Sequence, residues 1–88
     1  MQFIVLTKFR HKPIKQEINK MTAYYADLTK RGIKTTKIYW TLGRYDVVLM
    51  VEAPDERVAM KALLHCPMEI ATETLVAVPR EEAIKLLG

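Results

Sequence analysis

A β-hairpin is the clearest feature of residues 33–51, which read IKTTKIYWTLGRYDVVLMV. The first part, Ile33 to Leu42, is rich in Thr, Ile, Tyr and Trp, which favour strands. Residues 43–46 then supply turn-forming types, and Val47 to Val51 is apolar at every position. We therefore predict two antiparallel strands joined by a short turn.

The residues before this hairpin predict a strand and a helix. Gln2 to Phe9 is a nearly continuous apolar run, which is typical of a strand buried on both faces. Pro13 stands where a helix accepts proline, at its first position, and Gly32 supplies the stop after the last turn. The helix between them has an apolar stripe formed by Ile14, Ile18, Met21, Tyr25 and Leu28.

The residues after the hairpin predict a second helix, a fourth strand and a short terminal helix. The second helix opens at Pro54-Asp55 and ends at Cys66-Pro67. The fourth strand runs from Met68 to Val78, and Pro79 starts the terminal helix. The apolar face of the second helix comprises Val58, Ala59, Ala62 and Leu63.

This order of elements predicts one α+β domain over residues 1–88, a ferredoxin-like βαββαβ sandwich with a short C-terminal helix. Right-handed crossovers place both long helices on the same face of an antiparallel sheet. We expect the first strand to lie between the third and the fourth, with the second at an edge. The other face of the sheet is then bare.

The third strand shows that this bare face is apolar. If Val47, Leu49 and Val51 face the helices, then Val48 and Met50 stand on the open face. A second copy of the same sheet is the simplest cover, because a shared apolar face enlarges the small core of a short chain. We therefore expect the chain to be its own partner, as a homodimer or a higher homo-oligomer.

The charge distribution leaves two interpretations open. Residues 1–44 carry ten Lys or Arg against two acids, and residues 45–88 carry four against eight, which gives +8 and −4. A basic half is compatible with nucleic acid, but the chain has neither aromatic interleaving of the RNA-recognition type nor a helix-turn-helix pattern. We favour a solvated surface, with head-to-tail packing of identical subunits as the alternative, and do not expect nucleic acid as a partner.

The sequence also bears on location. No apolar run approaches the length of a membrane helix, and the apolar start is too short for a signal peptide. The lone Cys66 has no second cysteine for a disulfide or a shared metal site. We expect a cytoplasmic protein without a membrane partner.

Catalytic motifs are missing from the sequence. It contains no serine, no glycine-rich phosphate loop and no His-x-x-x-His pair. His65 and Cys66 are neighbours whose side chains point apart on a helix, which is poor geometry for a metal or for a nucleophile and base. We predict no catalytic residues, no metal ligands and no cofactor.

Three segments resemble the GYD domain family, named for a Gly-x-Tyr-Asp hairpin. They are Tyr39–Asp46 (YWTLGRYD), Glu52–Asp55 (EAPD) and Thr72–Leu75 (TETL), in that order. The resemblance implies a ferredoxin-like fold of the dimeric α/β-barrel type, in small proteins whose biochemical role is generally not established. The chain departs from the family pattern at residues 9–12 and in a shorter connection at residues 65–67.

A weaker resemblance concerns the effector-binding domain of leucine-responsive regulators. It rests on Leu42-Gly43-x-Tyr45-Asp46 followed by an apolar strand and Pro54-Asp55. Those domains bind amino acids between paired subunits. This is an analogy at the level of the fold.

A ligand site is expected in the space between two paired sheets. If Ile38, Trp40 and Leu42 pack under the helices, the side chains of the alternate residues of that strand face the space between the sheets. Gly43 most simply provides a turn that needs a positive φ, with Asp46 bonding turn amides. The candidate ligand-binding residues are Tyr39, Thr41, Gly43, Tyr45, Asp46 and Met50.

The basic loop at Arg10 to Lys12 is a second location for a ligand. A phosphate or carboxylate could sit beside His11 at the start of the helix, but we favour a solvated loop because charge there comes without enclosure.

Taken together, these patterns predict a small homo-oligomeric ligand-binding or regulatory domain with a small-molecule ligand between paired sheets. The alternative is a cofactor-poor enzyme of the dimeric α/β-barrel oxygenase type. Relatives of that class use few catalytic side chains, so a missing motif does not exclude it.

Overall fold

The strands and helices follow one another in the predicted order, and the computed structural model describes all 88 residues. The elements are β1 (Gln2–Phe9), α1 (Lys15–Lys30), β2 (Lys34–Trp40), β3 (Val47–Glu52), α2 (Glu56–Leu64), β4 (Ile70–Ala77) and α3 (Arg80–Lys85). The ferredoxin-like α+β prediction is confirmed, and the bounds differ from the predicted ones only at the element ends. No helix is long and apolar enough to cross a membrane.

The four strands form one antiparallel sheet in the order β2-β3-β1-β4. This is the expected order, with β1 between the third and fourth strands. Side chains alternate along β3 as predicted: Val47, Leu49 and Val51 are buried, whereas Val48 and Met50 are not. The helices therefore cover one face of the sheet only.

The core lies between that face and the two long helices. β1 contributes Phe3 and Val5 to it, and α2 contributes Ala59 and Ala62. The remaining buried apolar residues are Met21, Tyr24, Leu28, Ile33, Val47, Leu49, Val51 and Ala53.

The start of α1 differs from the prediction. Pro13 lies one residue before the N-cap, Ile14, and the helix begins at Lys15. Ile14 and Ile18 of the predicted apolar stripe are 58% and 39% exposed, whereas Tyr24, which was not assigned to the stripe, is buried. Ile18 lines a groove of about 90 Å³ together with Phe9 and Val47, so the space between the start of α1 and the sheet is not filled.

The packing predicted for β2 is also wrong. Ile38 and Trp40 do share the helix side with Leu49 and Val47, their partners in β3, but they are 40% and 60% exposed. β2 is an edge strand, and although α1 contacts it, the helices do not cover Ile38 and Trp40. Trp40 instead packs against Phe9, with ring centroids 5.3 Å apart, and Leu42 beyond the strand end is fully exposed.

Candidate functional site

The uncovered side of the sheet, which we call the open face, carries an apolar strip. The register places Ile4 and Leu6 of β1 beside Met50 and Val48 of β3, with Leu75 of β4 next to Ile4. Ile4, Leu6 and Val48 are half-buried by their neighbours, and Met50 and Leu75 are 37% and 42% exposed. An apolar surface therefore runs across three neighbouring strands, from β3 over β1 to the edge strand β4.

Two tyrosines border this strip. Tyr39 lies opposite Val48 and is exposed, and the Nζ of Lys37 lies 5.9 Å from the centre of its ring. Tyr45 reaches from the hairpin to β4, where its phenol donates a hydrogen bond to the carboxylate of Glu73. That bond is the main reason why the pKa of Tyr45 is raised. Both phenols therefore lie on the open face.

A depression interrupts the open face beside Met50. The register of β2 against β3 shifts between Thr35 and Lys37, and the Thr36 hydroxyl donates a 2.9 Å hydrogen bond to the Met50 carbonyl. The depression has a volume of about 270 Å³ and is also lined by Ile4 and Glu52. Its wall therefore combines apolar side chains with one carboxylate, that of Glu52.

Thr41 and Asp46 lie at the base of the hairpin. The Thr41 hydroxyl donates a 2.7 Å hydrogen bond to the Tyr45 carbonyl, and the Thr41 amide donates to the Asp46 carbonyl. The carboxylate of Asp46 accepts a 2.8 Å hydrogen bond from the Phe9 amide and lies 3.7 Å from the Lys8 Nζ. The expectation that Asp46 bonds turn amides was wrong, because the Asp46 amide pairs with the Thr7 carbonyl and aligns the residue with the end of β1.

Gly43 has the predicted positive φ, at +113°, and its side-chain position is open to solvent. It shapes the turn that carries Tyr45. The structure thus brings Tyr39, Tyr45 and Met50 together on the open face, and it places Thr41 and Asp46 at one end of the sheet.

Sequence reasoning missed Glu73 and Thr36 as members of this surface. Glu73 lies opposite Leu6, which in turn lies opposite Val48, so the strand order and register would have placed it on the open face. Thr36 had no comparable signal, since its position depends on the register shift in β2.

The histidines have local partners. The Nε2 of His11 lies 3.1 Å from the Glu17 carboxylate, and the Nδ1 of His65 lies 2.7 Å from the Lys61 carbonyl. The pKa of Glu17 is lowered first by the hydrogen bond from the Ile14 amide and then by His11. No three His, Cys, Asp or Glu side chains are grouped in a way that could hold a metal ion.

Comparison with known proteins now identifies the fold. The family model described as "GYD domain" matches residues 3–87. Among solved structures, muconolactone isomerase is similar at 15% identity and a TM-score of 0.55, over 91% of this chain and 93% of that one. MtbAldR is similar at 14% identity and a TM-score of 0.48, over 89% of this chain, which spans about half of that protein (52%). No match to a curated protein was found by sequence.

Proposed function

The chain belongs to the GYD domain family, and from that premise we propose that it is a small homo-oligomeric ligand-binding domain whose open faces pair and enclose a small molecule. The proposal treats residues 1–88 as a single domain that works in the cytoplasm. The observation that carries it is the apolar strip on the open face.

The size of the open face supports pairing. The four strands have 8, 7, 6 and 8 residues, and with a rise of about 3.3 Å per residue and a spacing of about 4.8 Å they present roughly 460 Å² of flat sheet. A standard interface buries roughly 800 Å² per partner, so the open face supplies more than half of this area. Apolar patches of several hundred Å² on small proteins are often functional surfaces.

The polar residues at the edges of the open face suit a second copy of this chain. Lys37 lies on β2 at one edge, and Glu73 lies on β4 at the other. A two-fold axis along the strand direction would place the basic edge of one copy over the acidic edge of its partner. Such an isologous contact forms twice and closes the assembly as a dimer.

The ligand position follows from the same pairing. The depression beside Met50 is open to solvent in one copy, and the sheet of a partner copy would cover it. Tyr39 and Tyr45 would add phenol groups at the margin of the enclosed space. An apolar cavity with a few convergent polar groups is the usual form of a small-molecule site. In this proposal Thr41, Gly43 and Asp46 hold the hairpin that positions Tyr45.

The experiment is calorimetric titration of the full chain with amino acids and small aromatic acids. The Tyr39→Phe variant should bind more weakly by about 1 kcal/mol, because one hydrogen bond to the ligand is lost. Thr29→Val is the control, since it removes a side-chain hydroxyl from an exposed position of α1 that lines neither the open face nor a groove. Equal affinity in both variants would contradict the proposed site. Chemical conversion of a bound compound would support the enzyme alternative instead.

A further inference from the structure

A separate groove lies at the end of the sheet, where residues 10–14 connect β1 to α1. Its volume is about 420 Å³, and its lining includes Lys8, His11, Lys12, Trp40 and Asp46. From the sequence we expected the basic loop to carry charge without enclosure. In the structure the exposed Trp40 on β2 lines the same groove, so the charged loop lies beside an aromatic surface.

The apolar side of this loop groove is an aromatic pair. Trp40 is 60% exposed, and its ring lies 5.3 Å from that of Phe9. Both rings, with Pro13, also border the adjoining groove of about 90 Å³ in front of Ile18. The two grooves together reach the size range of small-ligand pockets. An exposed tryptophan face is a favourable surface for a flat apolar group.

The charged side of the loop groove has an excess of cations. The carboxylate of Asp46 already accepts the Phe9 amide hydrogen bond and lies 3.7 Å from Lys8. Glu17 is paired with His11. Lys12 is exposed and has no carboxylate within ion-pair distance, so its ammonium group is free to receive an anion.

We propose that the loop groove binds a small aromatic carboxylate, with its ring against Trp40 and Phe9 and its carboxylate at Lys12. The ammonium groups of Lys8 and Lys12 would repel a cationic ligand, and a purely apolar ligand would leave Lys12 without a partner, whereas Lys8 already lies beside Asp46. An ammonium and a carboxylate form a charge-assisted hydrogen bond, which is stronger than one between neutral groups. This site goes beyond the proposed function, because one chain builds it without a partner copy.

Trp40 is the only tryptophan in the chain, so its fluorescence reports on the loop groove directly. The probe is phenylacetate, titrated into the wild-type protein at low ionic strength. We expect a saturable change in Trp40 emission. Phenylacetamide, which has the same shape without the charge, should bind at least tenfold more weakly, and acetate, which lacks the ring, should give no saturable change. Equal binding of phenylacetate and phenylacetamide, or no saturable change with phenylacetate, would overturn the proposal.

Two variants test the cation. Lys12→Gln should weaken phenylacetate binding roughly tenfold, as expected for the loss of a charge-assisted hydrogen bond. Lys61→Gln removes a lysine from α2, outside the groove, and should leave the affinity unchanged. Equal effects of the two substitutions would show a general charge effect and overturn the proposal.

A third variant separates this site from the one between sheets. Met50→Lys alters the open face and should leave phenylacetate binding at Trp40 unchanged, even if it abolishes self-association. Loss of binding in that variant would place the probe between paired sheets and overturn the loop-groove assignment.

Discussion

The phenol of Tyr24 donates a 2.6 Å hydrogen bond to the backbone carbonyl of Ala62 and thereby joins α1 to α2. Both residues belong to the buried core. Burial is the main cause that raises the pKa of Tyr24 to about 12. This contact holds α1 and α2 together within the helix layer.

Tyr24→Phe should lower the free energy of unfolding by about 1 kcal/mol, because the Ala62 carbonyl loses its side-chain partner in a buried position. Urea unfolding followed by circular dichroism measures the change. Tyr25→Phe removes a hydroxyl that makes no hydrogen bond within the chain and serves as control. A stability of Tyr24→Phe equal to that of wild type would show that the bond contributes nothing.

Alkaline pH should destabilise the protein through Tyr24. The folded pKa of about 12 lies above the ordinary value of 10.0, so the fold disfavours the ionised phenol. The resulting stability is fully present below pH 10 and is lost as the pH rises towards 12. Over this range the unfolding free energy of wild type should fall more steeply than that of Tyr24→Phe. Parallel curves would contradict this assignment.

Asp46→Ala should destabilise the fold by about 1 to 3 kcal/mol, since it removes the acceptor of the Phe9 amide at a half-buried position. Asp46→Asn keeps an oxygen acceptor there, and we expect it to recover most of the loss. Thermal or urea unfolding of the two variants gives the comparison. If the asparagine variant is as unstable as the alanine variant, the Lys8 ion pair rather than the Phe9 amide is the main contact.

Gly43→Ala should cost about 1 to 2 kcal/mol of stability, because φ is +113° and a Cβ is disfavoured in that region even where space is free. Leu42→Ala, at the fully exposed neighbouring position, is the control and should be close to neutral. Urea unfolding distinguishes the two. Equal stabilities would mean that the turn relaxes to another conformation without cost.

The sequence predicts much of this fold because its local signals agree with one another. The apolar run Val47 to Val51 identifies a strand, and Asp55 caps α2 by accepting hydrogen bonds from the Arg57 and Val58 amides. The hydrophobic periodicity indicates which residues share a face of a helix or strand. It does not indicate how much of the sheet the helices cover, so Trp40 is predicted on the correct side of the sheet but as a buried residue, whereas it is exposed.

The candidate site was harder to predict for a related reason. Tyr39 and Met50 follow from strand alternation, and the structure places both on the open face. The positions of Asp46 and Glu73 depend on contacts between strands that are distant in sequence, at separations of 37 residues to Phe9 and 28 residues to Tyr45. Such contacts require the register of the whole sheet.

Met50→Lys tests whether the chain self-associates through the open face. When two open faces associate, the ammonium group in the apolar strip would be buried without a counter-charge, which destabilises the dimer by several kcal/mol. In a single copy the same group stays in water. The helix side of β3 is unchanged, so the fold should persist by circular dichroism.

Sedimentation equilibrium at micromolar concentration is the most direct measurement. We expect a wild-type mass of at least twice the 10.2 kDa of one chain, and a mass near 10.2 kDa for Met50→Lys. A wild-type mass of 10.2 kDa, or an unchanged oligomer in the Met50→Lys variant, would contradict the claim that the open face pairs with a second copy.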